Sequence, residues 1–307
     1  MDVQVNGKAS LLLTKVLCIC DTEYLLPFML EKDVLAYPSL RSVSFFQRIV
    51  RRCFISLGLP MHYWYDHWKR QLSKVETVIV FAIRGGESIM DYIISRTRNV
   101  RIILWYWDPV YRTYSPDLFD NNRCEKWSFD TNDCKTYRMK HNTTFFFDNI
   151  PIPHKNVTCD VCFVGYEKGR RKEIERIAQA LDKAKCTTDF YIVDDDAAKR
   201  NYKGAYPRIS YEQILERIAG SKAILDILQD NQTGLTIRPM EALFFKKKLI
   251  TNQLIIKNQD FYHPDNIFVL GIDDIETLPV FLQKPYYEIS KNIVDSYDFV
   301  SWINRFV

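Results

Sequence analysis

The chain contains no apolar run of about 18 residues, so the sequence predicts no membrane-spanning helix. It also lacks a secretory signal pattern. Residues 1–10 are polar, and the apolar run 11–20 is broken by Thr14 and Lys15. Without such a signal, the eight cysteines point to a reducing, cytoplasmic setting rather than a disulfide framework. The sequons at Asn142, Asn156 and Asn231 then carry no expected glycan. Charge of one sign is also scarce: the net value is only +4, too little to imply a nucleic-acid partner. A second CxxC to complete a zinc site is missing. The only pair, Cys159 and Cys162, flanks the strand-like run CDVCFVG. Residues three apart on a strand point to opposite faces, so these two do not chelate one ion. Internal repeats and low-complexity tracts are absent as well.

What is present is an ordinary globular composition, 47% hydrophobic and 26% charged, with a high aromatic share of 14%. A chain of 307 residues has room for two domains of roughly 150 residues each. In the first half, strands are expected at 14–20, 76–83, 100–107, 126–129 and 144–147, with helices at 43–57, 88–96 and 132–139. The strand runs are nearly all apolar, which suits a parallel sheet covered on both faces. Asp130 and Asp133 read as a helix start. The stretch 149–158 holds two prolines and has no periodicity, so it reads as a linker. A second alternating series follows: strand 159–165, helix 171–184, strand 189–193, helix 211–219, strand 223–227, helix 238–245, and strands 248–251 and 266–270. The end, 297–306, is amphipathic. The domains are therefore expected at 1–150 and 159–295, with 296–307 as a closing helix. Two such Rossmann-like domains would set the carboxyl ends of their strands around a central cleft, where open α/β sheets bind ligands.

The segment 209–252 is the richest in chemistry. A loop ending in Thr233 and Gly234 opens onto a helix carrying Arg238 and Glu241. A helix N-terminus offers unpaired N–H groups and a positive dipole end to an anion. Arg238 adds a fork suited to phosphate, and Glu241 an acceptor for ribose hydroxyls. This segment resembles the donor-binding segment of GT-B glycosyltransferases, especially those of bacterial capsule and lipopolysaccharide synthesis. The pattern stands here as the helix 211–218, the strand 223–227, Gly234 to Thr236, Glu241–Ala242, and the run Lys248 to Thr251. Thr233 occupies the place where many members carry a second Glu.

The resemblance implies a GT-B fold and a nucleoside-diphosphate sugar as donor, with no separate cofactor. It implies donor contacts from Gly165, Lys168, Arg170 and Arg171 in the loop after the strand 159–165, where Lys168–Gly169 is the matching pair. Further donor contacts fall to Tyr211, Thr233, Gly234, Leu235, Thr236, Arg238 and Glu241. Independently of the resemblance, the basic loop 165–172 at a helix start has the make-up of a phosphate site or of a solvated basic turn. Ser210 serves equally as an N-cap. The run Asp194–Asp196 reads as a solvated acidic turn rather than a metal-holding motif. No essential metal is expected, since Arg and Lys can neutralise a departing diphosphate. The resemblance also implies an acceptor, a growing and lipid-linked bacterial surface glycan, entering along the first domain.

Transfer to a hydroxyl needs a group that takes its proton. Asp108 and Glu87, at strand ends of the first domain, are the carboxylates best placed for this. His62, Asp66 and His67 are weaker candidates. Segment 41–74 carries Arg41, Arg48, Arg51, Arg52, Lys69, Arg70 and Lys74 against the single acid Asp66, interleaved with aromatics. It reads either as a peripheral contact with anionic lipid or as core aromatics beside a solvated face. Two rival functions remain at this level, a sugar-nucleotide 2-epimerase and a non-catalytic nucleotide-sugar-binding partner.

Overall fold

The computed structural model describes residues 13–193, 206–228 and 233–306. The chain divides into two compact units, at Thr143/Thr144 and again at Asp298/Phe299, so the last residues belong to the first unit. Each unit is a parallel sheet with helices, of six and five strands respectively. This is the two-sheet, Rossmann-like α/β class expected from the sequence.

The first unit runs β1 (Val16–Ile19), α1 (Leu26–Glu31), β2 (Leu35–Tyr37), α2 (Phe45–Ser56), β3 (Thr77–Phe81), α3 (Glu87–Arg96), β4 (Arg101–Tyr106), β5 (Glu125–Ser128), α4 (Thr131–Tyr137) and β6 (Lys140–His141). Its strand order is β2-β1-β3-β4-β5-β6. Strands β1 and β3 are buried along their whole length, which is why they read as continuous apolar runs. Asp130 caps α4, accepting from the backbone N–H groups of Asn132 and Asp133 at 2.8 and 3.1 Å.

The second unit runs β7 (Cys159–Tyr166), α5 (Arg171–Lys183), β8 (Thr188–Val193), α6 (Tyr211–Ala219), β9 (Ser221–Asp226), α7 (Ile237–Phe244), β10 (Lys248–Thr251), β11 (Ile267–Val269), α8 (Leu278–Gln283) and α9 (Lys291–Ser296). Its order is β11-β10-β9-β7-β8. The chain passes from β7 to β8 on one side and then returns to β9 on the other, so the winding reverses between β7 and β9.

Two element assignments are corrected. The apolar run 144–147 is no strand; it makes one isolated bridge, Phe146 with Asp298. Its phenylalanines are buried by packing instead, Phe146 lying 5.3 Å from the rings of both Phe244 and Phe245. The edge beside β5 is taken by the short β6. The expected helix 297–306 is shortened to α10 (Phe299–Asn304) and is separated by a break from α9, which ends at Ser296. The break lies where the Tyr297 carbonyl accepts from the Phe146 N–H at 2.9 Å and the Asp298 carboxylate from the Asp148 N–H at 3.2 Å. Within the first unit, Trp302 of α10 packs on Trp105 at 5.2 Å and Phe306 on Trp127 at 4.9 Å. No helix among the described residues is long and apolar enough to cross a membrane.

Candidate diphosphate site in the second unit

In a parallel sheet, the crevice at a reversal of strand order lies at the carboxyl ends of the two strands involved. Here those ends are Tyr166 of β7 and Asp226 of β9. A cavity of about 460 Å³ opens at this place, lined by Lys168, Arg170, Lys172, Arg176, Ile227 and Asn252, among others. It is within the range of small-ligand sites. The lining holds four cationic side chains and one acid, Glu173, which pairs with Arg176 at 2.7 Å. Two other cavities have no such setting. One of about 340 Å³ lies at the amino end of the same sheet beside Thr158 and Gly220, and one of about 680 Å³ runs along α5.

The loop after β7 makes its turn through two left-handed residues, Lys168 (φ 45°) and Gly169 (φ 81°). Glu167 stabilises it from within. Its carboxylate accepts from the Gly169 N–H at 3.0 Å and the Arg171 N–H at 3.4 Å, so it caps the start of α5. An incoming anion would therefore meet side-chain cations first and the helix end second. Arg170 reaches back across the strands, donating to the carbonyls of Ile227 and of Tyr166 (3.2 Å). Its guanidinium lies 5.4 Å from the Phe163 ring. Gly165 leaves room for this arm: a Cβ there would sit 3.2 Å from both Arg170 Nη2 and Phe163 Cζ. Arg171 is largely covered and pairs with Glu175 at 3.7 Å.

Behind the cavity lies the second expected cluster. Thr236 caps α7, accepting from the Arg238 N–H at 3.3 Å, and donates its hydroxyl to Asp226 at 3.0 Å. The Arg238 guanidinium pairs with Glu241 and donates to the Val164 carbonyl at 2.8 Å. Tyr211, at the start of α6, donates its hydroxyl to the other Glu241 oxygen at 3.0 Å. Glu241 has no exposed surface and Arg238 retains 16% of its side-chain exposure. The ribose role expected for Glu241 does not fit this geometry, because both of its oxygens are engaged inside the protein. The carboxylate instead orients Arg238. Leu235 and Gly234 are buried too, and the Gln253 amide donates to the carbonyls of Thr233 and Gly234 at 2.9 and 3.2 Å. Asn252 fixes the neighbouring turn, accepting from the Leu228 N–H at 2.9 Å.

The electrostatics follow from this burial. It pushes the Asp226 carboxyl up, against the Thr236 hydrogen bond and the charges of Arg170 and Arg238. It pushes Glu241 up as well, against Arg238 and Tyr211. Burial pulls Arg238 down, but Glu241 outweighs it and holds the guanidinium above its ordinary range. Glu241 is thus tied directly to Arg238 and Tyr211, while Asp226 is tied to Thr236 and feels Arg170 and Arg238 through their charge.

Sequence reasoning missed Arg176, Asn252 and Asp226. Arg176 is one helical turn and a half past the loop, and its position on the α5 face beside Lys172 was the available signal. Ser210 is the N-cap of α6, in a reciprocal pair with Gln213. The run Asp194–Asp196, and Asn231 of the loop before α7, lie outside the described residues. Cys159 and Cys162 are both free thiols on β7, raised to about 11 chiefly by burial.

In the first unit, Glu87 and Asp108 follow the neighbouring strands β3 and β4. Glu87 opens α3 and is half-buried; Asp108 is exposed. Close to Glu87, the Tyr114 hydroxyl is buried with no hydrogen-bond partner among the described residues. His62 and His67 belong to a segment whose Trp64, Tyr65 and Trp68 are core residues, and Asp66 caps the short turn that follows it.

No protein-family model matches the chain, and no curated protein matches it. Solved structures similar to it include Anabaena HepE in complex with UDP and glucose, at 11% identity, covering 99% of this chain and 96% of that one, with a TM-score of 0.49. Another is the spinosyn rhamnosyltransferase SpnG with thymidine diphosphate, at 10% identity, covering 95% and 99%, with a TM-score of 0.43. A third is MurG of Acinetobacter baumannii, at 14% identity, covering 85% and 79%, with a TM-score of 0.36. At identities this low, the chemistry of the site has to come from this chain's own residues.

Proposed function

We propose that this chain binds a nucleoside-diphosphate sugar on its second unit and transfers the sugar to an acceptor hydroxyl, without an essential metal. The observation that carries this reading is the cationic cavity at the β7/β9 reversal, lined by Lys168, Arg170, Lys172 and Arg176. Its charge suits a diphosphate and its position is the one a parallel sheet reserves for ligands. In this reading Lys168, Lys172 and Arg176 meet the phosphates. Arg170, Gly165 and the Arg238–Glu241–Tyr211 network hold the strand ends in place. As the glycosidic bond breaks, negative charge builds on the diphosphate, and preorganised cations lower that barrier. Asp108 is the proposed base, since it is the exposed carboxylate of the two candidates. The resemblance of segment 209–252 to capsule and lipopolysaccharide enzymes supports a lipid-linked glycan acceptor and a cytoplasmic site of action.

Incubation with a panel of sugar nucleotides tests the reaction. Release of free nucleoside diphosphate, accelerated by a glycan acceptor, is the expected outcome. Conversion of the sugar without release of diphosphate, or binding without turnover, contradicts transfer.

A further inference from the structure

The helix α2 buries none of its residues. Phe45, Phe46, Ile49 and Val50 are 68, 77, 45 and 47% exposed, and beyond the helix Leu57 and Leu59 are exposed as well. At 3.6 residues per turn, Phe45, Phe46, Ile49, Val50, Cys53 and Phe54 share one half of the helix, and Arg48, Arg51 and Arg52 lie on the other. A surface helix normally turns its apolar half inward; this one leaves it in water. Only Phe54 is anchored, 5.4 Å from the Trp64 ring, and Trp64 in turn carries Arg41 at 5.4 Å. The ends are well made: Ser44 and Gln47 form a reciprocal cap, so the helix is built to stand there. From residue 38 to residue 65 there is no acidic residue.

We propose that α2 is a membrane-surface helix that lies in the headgroup region of an anionic bilayer. Its phenylalanines and Ile49 would enter the acyl boundary while Arg48, Arg51 and Arg52 pair with lipid phosphates. Charge decides the occupant. An apolar face alone would suit any hydrophobic partner, but a run of arginines without an acid is complementary to an anionic surface. This goes beyond the sugar-nucleotide reading and does not depend on it, because α2 belongs to the first unit.

Flotation of the full-length protein with vesicles tests it. One set is phosphatidylcholine alone, the other phosphatidylcholine and phosphatidylglycerol in roughly equal parts. The protein should float with the anionic set and not the neutral one. Phe45→Ser with Phe46→Ser should weaken that binding about tenfold or more, and Arg48→Gln with Arg52→Gln about thirtyfold. These side chains are exposed, so melting temperature and nucleoside-diphosphate affinity should be unchanged in both variants. Equal binding to both vesicle types, or no binding to either, overturns the proposal. So does concentration-dependent self-association in sedimentation velocity that the Phe variants abolish, which would assign the face to a second copy.

Discussion

Arg170 and Arg238 differ from Lys168 and Lys172 in what holds them. The guanidiniums are bonded to backbone carbonyls of β7 and of the turn after β9, whereas both lysines line the open cavity. The arginines held by these carbonyls should therefore govern stability and the exposed cations affinity. Glu241→Ala removes one partner of a buried pair and should cost about 3 kcal/mol or more in urea unfolding of the chain. A cost below about 1 kcal/mol would mean that the pair is hydrated and open to ligand. The sequence marked Arg238 and Glu241 as special but not which way they face. Polar residues in the first turns of a helix look alike whether they meet a ligand or a neighbouring strand. The deciding partners, Val164 and Tyr211, are far from them in sequence. Glu125 offers a separate test in the first unit. Burial alone would raise its carboxyl, but hydrogen bonds from Arg101, Lys140 and Trp127 outweigh this and take it from 4.5 down to about 2. Its folded value is depressed, so its stabilising contribution is present above 4.5 and is lost as pH falls towards about 2. Glu125→Gln should flatten the loss of stability across that window in pH-dependent unfolding; an unchanged slope would contradict the assignment.

At the scale of elements, the strands were legible because a parallel sheet covered on both faces leaves continuous apolar runs, as in β1, β3 and β10. Segment 144–147 shows where that signal misleads. Three buried phenylalanines look the same in a ladder and in a packed turn, and only the pairing partner distinguishes them. The short β2 carries three residues, too few for any periodicity to show. The break between α9 and α10 was hidden for a similar reason, since it is set by the Phe146 N–H, some 150 residues away. Helix α10 should matter far beyond its length. Trp302 has no exposed surface and touches Trp105, Phe299 and Phe306. Trp302→Ala should destabilise the first unit by about 3–5 kcal/mol in thermal or urea unfolding. An effect near zero would show that the unit does not need its C-terminal strap. Helix α2 is the converse case: its alternation of arginines and apolar residues was plain in the sequence, but its exposure was not.

For the whole molecule, each sheet reverses its winding once near its centre. In the second unit the reversal coincides with a basic cavity. The architecture explains why the residues lining the cavity come from separate segments, the loop after β7, the turn after β9 and Asn252 after β10. Each is short, and each follows a strand whose position the core determines. Calorimetric titration of nucleoside diphosphates into the wild-type chain and into Lys168→Ala, Lys172→Ala and Arg176→Ala is the most direct measurement. Binding in the wild type, weakened about tenfold by each loss of a cation with the unfolding midpoint unchanged, is the predicted result. Equal affinity in wild type and all three variants, or no binding of any nucleoside diphosphate, would contradict it.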